Sequence, residues 1–151
     1  MTIVADERDS RTNHSSTMGG TENGGREGLV RRFTIPSLPP SVNALYQIIY
    51  SQKRVELHPE ARRWKSSAKE HVPRFSPSAG SLVAVDATFY YRFHYNNGKP
   101  RVFDAANLLK LLIDCVAEKC GFNDCLVRHG SWSSIDSGAE RVEVVLREVL
   151  L

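Results

Sequence analysis

The stretch from Arg101 to Val127, RVFDAANLLKLLIDCVAEKCGFNDCLV, limits the fold of this chain most tightly. Its apolar residues Ala105, Leu108, Leu109, Leu112, Ile113, Cys115, Val116 and Cys120 recur at helical spacing. Asn107, Lys110, Asp114 and Glu118 fall at i, i+3, i+7 and i+11, one polar stripe of the same helix. Asp104 suits the N-cap, and Gly121 suits the position just past the C-terminus. The spacing therefore predicts a buried helix bracketed by two carboxylates, Asp104 before it and Asp124 after it. They meet only if the chain beyond Gly121 folds back, or if Asp124 starts a strand running alongside.

Around that helix the pattern predicts strands and one more helix. Residues 1–28 carry no aromatic side chain and half of the glycines, so they read as a disordered N-terminal tail, with the domain spanning 29–151. Leu29 to Ile35 alternates as a strand and ends at Pro36, Pro39 and Pro40. Tyr46 to Leu57 reads as a short hairpin with Lys53 and Arg54 near its turn. His58-Pro59 starts a helix with Ala61, Trp64, Ala68 and Val72 on its core side, stopped by Pro73. Leu82 to Tyr95 is the clearest strand: Val83, Val85, Ala87, Phe89, Tyr91, Phe93 and Tyr95 share one face. Asn96-Asn97-Gly98 makes a turn. Cys125 to Ser133 reads as a strand with Cys125, Val127 and His129 on one face, then a turn over 135–138. Glu140 to Leu150 closes the chain as a strand with Val142, Val144 and Leu146 inward. The order of elements gives an α+β fold, a single domain in which a mixed sheet is covered by two helices.

Composition narrows the function. With 41% hydrophobic and 25% charged residues, the 151-residue chain matches a globular domain. The net charge is +3, but the first 28 residues hold five acids against three arginines, leaving +5 on the remainder and favouring a polyanionic partner. Cys115, Cys120 and Cys125 are odd in number and lack paired or zinc-ligand spacing, which predicts reduced thiols and a cytoplasmic protein. No apolar stretch is long enough to span a membrane, and the start lacks a signal-peptide pattern. Neither a phosphate-cradling Gly-rich loop nor a Gly-x-Ser-x-Gly elbow is present, which argues against common small-molecule enzymes.

Asp104-Ala105-Ala106-Asn107-Leu108-Leu109-Lys110, with Asn123-Asp124 beyond the helix, resembles the RusA family of Holliday-junction resolvases. The family pattern is Asp-x-Asp-Asn-x-x-Lys, a helix, then an acidic pair entering a strand. Asp104, Asn107 and Lys110 match it in register, and the proline-rich opening Leu38-Pro39-Pro40-Ser41-Val42-Asn43 before Tyr46 fits as well. The likeness covers about residues 33–149. It implies a RusA-like fold and a Mg2+-dependent endonuclease that nicks four-way DNA junctions in recombination and repair. Asp104 and Asp124 would hold the metal, with Lys110 toward the phosphate and Asn107 orienting a water or carboxylate. A two-fold junction cut by two symmetric nicks implies a homodimer. Lys53, Arg54, Arg62, Lys65, Lys69, Lys99 and Arg101 are the candidate DNA contacts.

One departure matters: the family's second aspartate falls on Ala106, and alanine binds no metal. Asp136, Asp86 and Asp114 are the acids able to substitute. Without substitution, either Asp104 and Asp124 hold the metal with more water around it, or the chain is a structure-specific DNA-binding protein that cuts weakly or not at all. Residue by residue there are plainer roles: an N-cap for Asp104, an i, i+4 pair for Lys110 and Asp114, and a turn for Asp124. A double-stranded-RNA-binding module also suits strands plus basic helices, but it leaves the register of these residues unexplained.

Overall fold

In the computed structural model, which describes residues 28–40, 46–49, 51 and 53–151, the order of elements follows the sequence pattern. Of the expected tail, residues 1–27 lie outside the described residues, as do Ser41, Val42 and Asn43 of the proline-rich opening. Strands β1 (Val30–Ile35), β4 (Leu82–Tyr91), β5 (Val127–Asp136) and β6 (Arg141–Val149) form one mixed sheet in the order β1-β6-β4-β5. β6 runs antiparallel to both β1 and β4, whereas β4 and β5 are parallel. Parallel neighbours need a long crossover, and α2 (Ala105–Cys120) supplies it. β2 (Tyr46–Ile49) and β3 (Arg54–Leu57) make a separate hairpin ahead of α1 (Pro59–Ala68).

The core lies on one face of the sheet. Val83, Val85, Ala87, Phe89 and Tyr91 of β4 and Val142, Val144 and Leu146 of β6 are buried together with Ala61, Trp64 and Ala68 of α1. From α2 the same cluster takes Leu108, Leu111, Leu112, Cys115 and Val116. The opposite face is polar, with Asp86 paired to Arg147 and Tyr90 donating to Glu143. This is the α+β arrangement the alternation of apolar residues predicts. All three cysteines are free, and burial pushes the Cys115 thiol up to about 11. Among the described residues no helix is long and apolar enough to cross a membrane.

Two boundaries differ from expectation, each for a backbone reason. β4 stops at Tyr91, because the chain over 93–101 bonds to itself: Tyr95 N–H donates to the Lys99 carbonyl and Arg101 N–H to that of Phe93. The next strand starts later and runs longer than 125–133, since Asp124–Leu126 is a turn of 3-10 helix. Its register against β4 also shifts at Arg128, so Val127 pairs with Val83 but His129 pairs with Ala84. That bulge puts Val127 and His129 on opposite faces, not on one. Just beyond it, β5 needs a glycine: a Cβ on Gly130 would lie 2.5 Å from the Val85 carbonyl oxygen.

Candidate functional site

Asp104 occupies the N-cap of α2, exposed, and each of its carboxylate oxygens accepts one bond there. One carboxylate oxygen accepts from the Asn107 backbone N–H at 3.2 Å, and the other accepts from the Asn107 side-chain amide at 2.7 Å. Asp104 and Asn107 thus satisfy each other at the start of the helix.

The neighbouring stripe of α2 carries the more open chemistry. Ala106, Leu109, Lys110, Ile113 and Asp114 line a groove of about 380 Å³, closed on its far side by Asp124, Val127 and Trp132. β5 is the sheet edge beside this stripe, and Trp132, paired with Ala87, projects from its helix-covered face. Gly121 ends α2 in the left-handed conformation at φ 74°, and Asn123 then caps the 3-10 turn by accepting from the Cys125 N–H at 2.9 Å. That turn sets Asp124 beside the last half of the helix. A smaller cavity of about 270 Å³ is lined by Asp114, Ala117, Glu118, Phe122, Asn123 and Asp124, so the two aspartates border both spaces. Burial raises the Asp114 carboxyl, and Asp124 and Glu118 raise it further, against Lys65 and Lys110, which lower it.

The structure therefore brings Asp124, Lys110 and the Ala106 position to one groove, and Asp104 with Asn107 to a separate cap. Ten residues of helix separate Asp104 from Asp114, about 15 Å of rise. Mg2+ holds its oxygen ligands at about 2.1 Å, so one ion does not join Asp104 to Asp114. Of the three substitute acids only Asp114 lines the groove with Asp124. Asp86 lies on the other face of the sheet, its carboxyl held low chiefly by the Ser131 hydroxyl, 2.7 Å away, and also by Arg147. Asp136 accepts from the Phe93 N–H at 2.9 Å.

Four of the candidate DNA contacts are ion-paired. Glu118 accepts from both Lys65 and Lys69, the latter at 2.7 Å, which ties α1 to α2. Arg62 reaches Glu56 at 3.3 Å. Arg101 bonds Glu140 at 2.7 Å, with its guanidinium 5.7 Å from the Tyr91 ring and 5.8 Å from the Tyr95 ring. Lys53 and Lys99 are exposed in turns, and Lys110 is exposed along the groove. Arg54 belongs to β3, with its side chain outside the described residues. The sequence reading missed the Glu118 clamp and Trp132. The i, i+4 spacing of Lys65 and Lys69 was visible, but not the helix that would face it. Among the described residues no three His, Cys, Asp or Glu side chains gather as a metal-binding group. No protein-family model matches the chain, and no curated protein matches it.

Proposed function

We propose that this chain is a Mg2+-dependent endonuclease that nicks four-way DNA junctions, as its likeness to the RusA family implies; the likeness puts Asp104 and Asp124 on the metal, and the shared groove favours the substitute Asp114 as the partner of Asp124. The observation that carries this reading is the shared groove: two carboxylates and Lys110 border one open space, together with the Ala106 position. Two carboxylates with water and substrate oxygens are a donor set suited to Mg2+. Bound by them, the ion would supply charge relief on the phosphoryl oxygens and an acidified water. Lys110, one helical turn from Asp114, offers a cation to the entering phosphate. The Asp104–Asn107 cap fixes the helix that presents these groups. A junction is two-fold symmetric, and paired nicks call for a homodimer acting on it.

The test is a synthetic four-way junction incubated with and without Mg2+. Paired nicks are expected with the metal only, and Asp114→Asn or Asp124→Asn should each cost at least ~100-fold, the upper range for outer-shell partners. Absence of nicks, or variants that cut like wild type, would overturn the assignment. A second reading draws on Ala106 and on the engaged Asp104: a junction-binding protein without cleavage. It requires salt-dependent binding indifferent to chelator and to both Asp→Asn changes.

A further inference from the structure

Trp132 closes the end of the groove away from the acids and takes no part in the proposed metal site. A crossover helix runs back against the parallel strands it joins, so β5 passes α2 from its last turns toward its first. Val127 pairs with Val83 and Trp132 with Ala87, which sets them four β4 residues apart, about 13 Å at ~3.3 Å each. On the helix wall Ala106, Lys110 and Asp114 repeat at i, i+4 and i+8, about 12 Å from first to last. The acids thus hold one end of the groove, Lys110 its middle, and Trp132 the end beside Ala106. We infer that Trp132 is a positioning residue: its indole stacks on a DNA base whose face is open where a branch breaks the stack, whichever base that is. With the strand's phosphates passing Lys110, the stack fixes how far the strand reaches toward the acids. The place of the cut rests on the nuclease reading above; the stacking of a base does not.

Three observations carry this. First, Trp132 is 53% exposed although it lies on the helix-covered face of the sheet. Single exposed apolar side chains are ordinary, but this one lines the groove that holds Lys110 and both acids. Second, its ring is left bare. Its neighbours on that face of β5 are Gly130 and Ser134, both small, and β5 is an edge of the four-stranded sheet. Among the described residues no aromatic ring or guanidinium lies over it. Third, the groove has the two halves a nucleotide needs. Ala106, Leu109, Ile113, Val127 and Trp132 are apolar, and Lys110 is an exposed cation lining the same space. Stacking on an indole is open to every base, since each has a π-face, so this contact selects an open base and not a sequence. The ~12 Å between the two ends spans at most about four nucleotides at ~3.4 Å each.

The test is the emission of the protein titrated, in EDTA so that nothing is cut, with a synthetic four-way junction and with linear duplex of the same sequence. The junction should change the emission saturably and the duplex should not. Trp132→Phe leaves only the buried Trp64 to emit, and should lose the change while binding about as tightly, because a phenyl ring still stacks. Trp132→Ala should bind roughly 5- to 100-fold more weakly, the loss of one base–aromatic stack. An abasic site moved along one strand should abolish the change at one position, and there Trp132→Ala should bind no more weakly than wild type. In Mg2+ that position should lie within about four nucleotides of the nick. Equal responses to duplex and junction, a change that no abasic site removes, or an alanine variant that binds intact junctions like wild type overturns the inference. One abasic site abolishing the change on junctions that Mg2+ leaves uncut would sink the nuclease reading and keep the stack. Paired nicks that Trp132→Ala makes as well as wild type would do the reverse.

Discussion

Replacing Asp104 in two ways separates its capping role from a catalytic one. Asp104→Ala removes both bonds to Asn107, at 3.2 and 2.7 Å. Loss of an N-cap costs about 1 kcal/mol, and losing the negative charge at a helix N-terminus adds about 0.5 kcal/mol. Asp104→Asn keeps a side-chain oxygen for the Asn107 N–H, and its new amide keeps the second bond once Asn107 turns its own side-chain oxygen toward it, so the lasting loss is the charge, about 0.5 kcal/mol. For a chain of 151 residues, at about 4 °C per kcal/mol, the alanine variant should melt ~6 °C lower and the asparagine variant ~2 °C lower. Melting followed by circular dichroism reads the first quantity, and junction nicking at 25 °C reads the second. With Asp114 and Asp124 as the metal pair, both variants remain folded at that temperature and cut within about tenfold of wild type, the smallest loss expected even for an outer-shell partner. An Asp104→Asn protein that melts near wild type yet cuts at least ~100-fold more slowly refutes this division of roles. It would mean that the cap opens in the functional state and that Asp104 binds the metal.

Two further outcomes test other parts of the molecule. Glu118→Gln frees Lys65 and Lys69 from their shared carboxylate. If they face DNA, junction affinity should fall more steeply with salt, by up to ~0.9 in log–log slope for each lysine released; an unchanged slope would remove both from the DNA-binding surface. Glu148 accepts from the Leu29 and Ser78 N–H groups and the Ser81 hydroxyl, and these bonds hold its carboxyl down to about 2. A carboxyl lowered by folding stabilises fully above its ordinary value, and that stability is lost as pH falls through the folded value. Denaturant titrations from pH 5 to 2 should show wild type losing this increment while Glu148→Gln lacks it throughout; parallel curves would show that the latch carries no charge-dependent stability.

Where apolar period alone decided the structure, the sequence sufficed. α2 was legible to its caps, with Asp104 at the start and Gly121 in the left-handed conformation at the end. β4 and β6 bury the alternate residues that their patterns name. The bulge at Arg128 was not legible, since alternation counts residues and a bulge adds one without changing the pattern. Gly130, isolated within a strand, was the available signal, and its close approach to Val85 is what such a glycine marks. The acidic site turned on a length that was in plain view. A 16-residue helix is about 24 Å long. A residue four positions past its end meets the last turns before it can reach the first. Asp124 therefore borders a groove with Asp114, one of the three acids named as substitutes, and that groove runs along the helix as far as Ala106 in its first turn.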